Sequence, residues 1–192
     1  MKIKKLISAL VLSSMLVGLS GCNITDFSAE NLLRPPKAVG DEAEIEQLIA
    51  KTADSGYTLK YPKNGKFRSA IIMTDLDGND SNEAVAFFRN SAETSSVHML
   101  VMYSKDNSWE IASDNIFETT DIDSVDFADL TGNGKAEIIV NSTTYTPNVG
   151  KLSCYSYSEG KTNEVGSGQS CSSFVTGDFD NDGTSEIMSL VL

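Results

Sequence analysis

Apolar positions are distributed unevenly along the 192-residue chain. A largely apolar run, Leu6 to Leu19, follows the lysines of Met1 to Lys5 and ends in Leu19-Ser20-Gly21-Cys22. A basic start, an apolar stretch of that length and a small residue before a break form the pattern of an export signal. The run is too short for a lasting membrane span. Asn23 to Lys37 is polar and contains Pro35-Pro36, so it reads as a tether. Asp41 with Glu44 three residues on makes a capping box, and Ile45, Leu48 and Ile49 fall on one helical face. The spacing predicts a short helix over Glu42 to Ala53 whose apolar stripe packs on the domain behind it.

Beyond residue 65 the pattern changes to short β-branched and aromatic runs separated by Asp, Asn and Gly. Ser69 to Thr74, Ser124 to Ala128 and Ser173 to Thr176 each lead into a polar loop. Ala84 to Arg89, Ile138 to Ser142 and Ile187 to Leu192 leave those loops. Further strands are predicted at Val97 to Tyr103, Trp109 to Ser113 and Lys151 to Tyr157. The class is all-β, with about four strands per repeat of roughly 50 residues, the size of a propeller blade.

The three loops align on one another. Loop one begins at Asp75, loop two at Asp129 and loop three at Asp178, 54 and then 49 residues apart. Each has Asp at position 1, oxygen-bearing side chains at 3 and 5, and Glu at 9. A hard cation such as calcium takes six to eight oxygens, so alternate side chains of a tight loop must converge and a carboxylate must close the shell. Helical calcium loops close at position 12, where this chain has Ala86, Val140 and Ser189. A strand-loop-strand site is the reading that remains, beside the simpler one of Asp/Asn/Gly turns that hold no metal.

Charge adds to this picture. The formal net charge is −12, and loss of Lys2, Lys4 and Lys5 with the leader takes the remaining chain to −15. Such a surface repels nucleic acid and anionic lipid headgroups. Asp-rich loops on so acidic a chain favour a neutralising cation.

The loops and their flanking strands resemble the FG-GAP or VCBS repeats of integrin-like β-propellers, over roughly residues 65–192. The Cys22 site independently resembles a bacterial lipobox. The resemblance implies a lipoprotein signal peptide over 1–21, a tether over 22–40 lipidated on Cys22, a helix and lead-in strand over 41–64, and calcium-binding blades over 65–192. It implies side-chain ligands Asp75, Asp77, Asn79 and Glu83 in loop one. In loop two they would be Asp129, Asn133 and Glu137, and in loop three Asp178, Asp180, Asp182 and Glu186. Loop one departs from the pattern with Asp80 in place of Gly, and loop two with Thr131 in place of a carboxylate. Calcium is therefore expected to bind best in loop three, then loop one, then loop two. Two full blades and the start of a third make a partial ring, short of the four to eight blades of a closed one. Its exposed strand edges would seek partners.

Catalytic motifs are sparse. The one histidine, His98, sits in an apolar run and reads as a structural strand residue. Gly160-Lys161-Thr162 lacks the earlier glycine of a phosphate-binding loop, and Tyr155 stands in its place. Trp109, Tyr145, Tyr155 and Tyr157 are either sugar-stacking rings or ordinary strand residues. Cys154 and Cys171 are either a disulfide pair or two small buried apolar residues. The expected function is a cell-surface, membrane-anchored binding module for a protein or glycan, not an enzyme. The alternatives are a non-catalytic accessory to, or a fragment of, a larger propeller-containing envelope enzyme, and a purely structural lipoprotein.

Overall fold

In a computed structural model of the chain the described residues are 40–54, 56–143 and 149–192. The leader, Cys22, the tether to residue 39 and Tyr145 lie outside them. Helix α1 (Asp41–Ala53) is followed by β1 (Tyr57–Leu59), β2 (Ile71–Thr74), β3 (Glu83–Asn90), β4 (Val97–Lys105), β5 (Ser108–Phe117) and β6 (Ile122–Ala128). Then come β7 (Glu137–Thr143), β8 (Gly150–Ser158), β9 (Lys161–Cys171), β10 (Ser173–Gly177) and β11 (Glu186–Leu190). The strands form three antiparallel sheets, so the all-β class holds. The first sheet runs β1-β3-β4-β5 with β2 also paired to β3, the second β6-β7-β8-β9, and the third β10-β11. No helix among the described residues is long and apolar enough to cross a membrane.

Period-two alternation decides how these elements stack. From β3 and β4, Val85, Phe87, Val97, Met99 and Val101 enter a core shared with Ile138, Val140, Tyr155 and Tyr157 of the second sheet. The intervening residues Ala84, Ala86, Phe88, Leu100 and Met102 face the opposite way, onto Ile45, Ile49 and Ala53 of α1. Ile139, Leu152 and Cys154 of the second sheet turn away from the first and pack with Phe174 and Ile187 of the third. A strand covered on both faces needs apolar residues at successive positions, which is why β3 reads as apolar without a break from Ala84 to Phe88.

Two details differ from expectation, and a third decides between alternatives. The helix cap is Gly40 at φ 64°, with no side-chain cap, and Asp41 begins the helix instead of capping it. Glycine enters that left-handed region without a Cβ clash, and the acids Asp41, Glu42 and Glu44 then complement the helix dipole in its first turn. β9 was not foreseen, because its polar and glycine-rich sequence carries no apolar alternation and nearly all of it is exposed. Finally, Cys154 and Cys171 are buried free thiols. The β8–β9 register sets Cys171 opposite Gly150 and Cys154 opposite Gly166. That separates the cysteines by about 13 Å along the sheet, well beyond a disulfide's reach of about 7 Å.

Candidate metal centre

Each loop joins two strands of one hairpin: β2 to β3, β6 to β7, and β10 to β11. In each, the position 1 Asp lies inside a ring of backbone N–H donors. Asp75 accepts from Gly78, Asn79 and Asp80 at 2.8, 3.3 and 2.9 Å. Asp129 accepts from Thr131, Gly132, Asn133 and Gly134 at 3.2, 2.8, 3.2 and 2.7 Å. Asp178 accepts from Asp182 and Gly183 at 3.1 and 3.0 Å. The position 5 side chains accept from the amide two residues on: Asn79 from Ser81, Asn133 from Lys135, and Asp182 from Thr184, at 2.7, 2.8 and 2.8 Å.

The position 9 Glu residues have a role that the sequence pattern did not reveal. Oε2 of Glu83, Glu137 and Glu186 accepts the position 2 amide of its own loop, from Leu76, Leu130 and Phe179, at 2.8 Å each time. That bond draws the far strand onto the loop and leaves Oε1 for other work. Backbone conformation repeats as well. Position 4 has positive φ in Gly78, Gly132 and Asn181, and position 6 in Asp80, Gly134 and Gly183. The missing glycine of loop one therefore leaves the path unchanged, because Asp80 takes φ 65°, a region Asp tolerates better than most residues.

The loops also connect to one another. The Ala136 amide in loop two donates to the Leu76 carbonyl in loop one at 3.0 Å, and the Ser185 amide in loop three donates to the Asp129 carbonyl in loop two at 2.8 Å. Stacking makes loop one the most enclosed. Leu76 and Glu83 are buried, whereas Asp178, Phe179, Asp180 and Asp182 are exposed.

In loop one, ligand oxygens of Asp75, Asp77 and Glu83 lie within 4.8 Å of one another, as do those of Asp178, Asp180, Asp182 and Glu186 in loop three. Loop two contributes only Asp129 and Glu137 as carboxylates, with Thr131 at position 3. Asn79 and Asn133 sit exposed at position 5 of their loops. Oδ1 of Asp77 is buried and has no hydrogen-bond partner. A buried carboxylate oxygen without a partner is costly unless a cation meets it. Asp75 and Asp129 are tuned toward the ionised form: burial pushes each up, but the backbone amides around it outweigh burial and hold it below the ordinary range. Glu83 goes the other way, raised by burial first and, among its neighbours' charges, by Asp77 and Asp75. Burial, followed by the charges of Glu83 and Asp77, pushes Tyr157 of the second sheet up to about 12. Loop one thus gathers three carboxylates that form no salt bridge among the described residues. The oxygen-only donor set and the unpartnered Asp77 oxygen fit a hard divalent cation.

Of the rings considered for sugar stacking, the three among the described residues are turned inward: Trp109 lies under α1, and Tyr155 and Tyr157 lie between the first two sheets. His98 is buried too, but between two carboxylates instead of in a purely apolar setting.

The chain matches no family model, no curated protein and no solved structure.

Proposed function

We propose that the protein is a lipid-anchored module of the outer face of the cell membrane, with stacked sheets that are blades of a partial β-propeller and hairpin loops that hold calcium. On this reading Cys22 carries the lipid, the residues after it are the tether, and the sheets present a rigid surface to a protein or glycan without catalysing a reaction. Calcium would be held in loop one by Asp75, Asp77, Asn79 and Glu83 and in loop three by Asp178, Asp180, Asp182 and Glu186. Loop two, with Asp129, Asn133 and Glu137, would hold it least well. When bound, the ion supplies positive charge that cancels the mutual repulsion of the loop carboxylates and locks the hairpin bend.

The observation that carries this reading is the buried, unpartnered Oδ1 of Asp77 within a set of converging carboxylate oxygens. Three loops that share positive φ at positions 4 and 6, and whose position 1 Asp accepts from the amides of positions 5 and 6, support it.

Calcium titration into chelated protein, followed by thermal melting, tests it. A ligand at ten times its dissociation constant stabilises by roughly 1.4 kcal/mol per site. Asp77→Ala and Asp178→Ala should each remove one such increment, and Asp129→Ala the least. Magnesium should substitute poorly, since it demands a smaller octahedral shell and gives up water reluctantly. No calcium-dependent shift, or a larger loss from Asp129→Ala than from the other two, would make the loops simple turns. A glycan-array screen of the same protein addresses the ligand.

A further inference from the structure

His98 is the only histidine of the chain and is 6% exposed. It lies on β4 with its ring stacked on Phe88 of β3, centroids 4.8 Å apart and planes 21° apart. Nδ1 is 2.9 and 3.0 Å from the two carboxylate oxygens of Asp114 on β5. Nε2 is 3.1 Å from Oε2 of Glu93, in the connection between β3 and β4. Glu93 also accepts the Ser96 hydroxyl, and that bond, with His98 next, holds its carboxyl below the ordinary range. Ionised carboxylates only accept hydrogen bonds, and a neutral imidazole donates from one nitrogen alone. Both contacts can be hydrogen bonds only when the ring is an imidazolium.

We propose that His98 is a protonation latch: its imidazolium ties the β3–β4 connection, through Glu93, to β5, through Asp114, and loss of one proton releases the connection. The groups facing the ring are consistent with this. The connection brings Glu93 and β5 brings Asp114. β3 brings the Phe88 ring, while the neighbouring Arg89 turns its guanidinium to the Thr120 carbonyl. The charge of Glu46 on α1 acts on Tyr57, which meets the Phe88 ring edge-on. A neutral ring would keep its bond to one carboxylate and turn a lone pair toward the other, an arrangement that is repulsive at 3.1 Å. Glu93 is the partner to leave, because its side chain is 41% exposed against 28% for Asp114 and it sits on a connection instead of in a strand. That connection forms one wall of an open cleft, with Ile116 and Glu118 opposite, so the latch decides whether the wall is fixed.

The sign of the pH dependence follows. Burial pulls the His98 value down, but the bonds to Glu93 and Asp114 outweigh it, leaving it above the ordinary histidine value. The contribution of the latch is fully present below about pH 6.5 and is lost as pH rises through the higher folded value.

With a single histidine, ¹³Cε1-histidine labelling of the chain gives one NMR resonance, free of overlap. At fixed saturating calcium, His98 should titrate above about 6.5. Hydrogen-exchange protection of Ala92 to Ser96, corrected for base catalysis, should fall at least about threefold across the same midpoint. Glu93→Gln should lower the midpoint and abolish that fall, and Asp114→Asn should also lower the midpoint. Protection at the Asp106–Asn107 turn, at the other end of the β4–β5 hairpin, should not move. A midpoint at or below 6.5, or protection of the connection that ignores the midpoint or keeps its pH dependence in Glu93→Gln, would overturn the latch.

Discussion

Loop one and loop three share a motif, the amide bonds of positions 2, 5 and 6 and the same positive-φ positions, yet they stand in opposite surroundings. The position 2 residue is fully buried Leu76 in loop one and half-exposed Phe179 in loop three. Closure of the loop by the position 9 Glu is the same 2.8 Å bond in both. The difference lies in what stacks above. Loop one is covered by loop two, and its strands are sandwiched between α1 and the second sheet. Loop three belongs to a two-stranded sheet whose outward residues Val175, Met188 and Leu190 are each more than half exposed. Local sequence fixes how a loop folds, whereas burial fixes how much its charges cost.

The largest test of this contrast is in the cores. Phe87→Ala, at a fully buried position between the first two sheets, should lower stability by about 3–5 kcal/mol. Met188→Ala, on the open face of the third sheet, should stay within about 0.5 kcal/mol. Denaturant melts of the two variants measure the gap. Similar losses would mean that the third sheet is covered in solution.

Glycine substitution sharpens the contrast inside the loops. A Cβ on Gly78, at φ 73°, would sit 2.7 Å from the Gly134 carbonyl oxygen in loop two, and backbone cannot move aside cheaply. Gly78→Ala should cost about 2–4 kcal/mol, combining left-handed strain with that contact. Gly183→Ala, at φ 90° with nothing within 4 Å, should cost only the strain, about 1–2 kcal/mol. Equal losses in thermal melts would show that loops one and two do not press together.

The smallest effect concerns position 6, where loop one has Asp80 and loop three Gly183. Asp80→Gly relieves a non-glycine residue at φ 65° and removes one negative charge from a crowded loop. It should raise the melting temperature of the chelated protein by about 2–4 °C, the equivalent of about 1 kcal/mol for a chain of this size. A lowered melting temperature would mean that the Asp80 side chain has a stabilising role.

The sequence alone determined whatever depends on residues close together in the chain. The three loops were legible because Asp75, Asp129 and Asp178 bind amides no more than five residues ahead, and such bonds need only the right residues at the right spacing. Most strands were legible because β-branched and aromatic runs announce them, and α1 because one face of it is apolar. The helix cap escaped even at short range: Asp41 and Glu44 spelled a capping box, but Gly40 could take a positive φ and placed the boundary one residue earlier. Only the tertiary structure decided the order of the layers, the exposed strand β9 and the separation of Cys154 from Cys171, since each depends on pairings that local propensity does not encode. It also decided the two features on which the proposed calcium site and the proposed latch rest. Asp77 acquires its buried oxygen in a loop that a neighbour more than 50 residues later covers, and His98 acquires its two carboxylate neighbours, Glu93 and Asp114, through the turns on either side of β4. In both, desolvation and opposing or like charge do the work, and these are properties of what the fold places beside a residue, not of the residue itself.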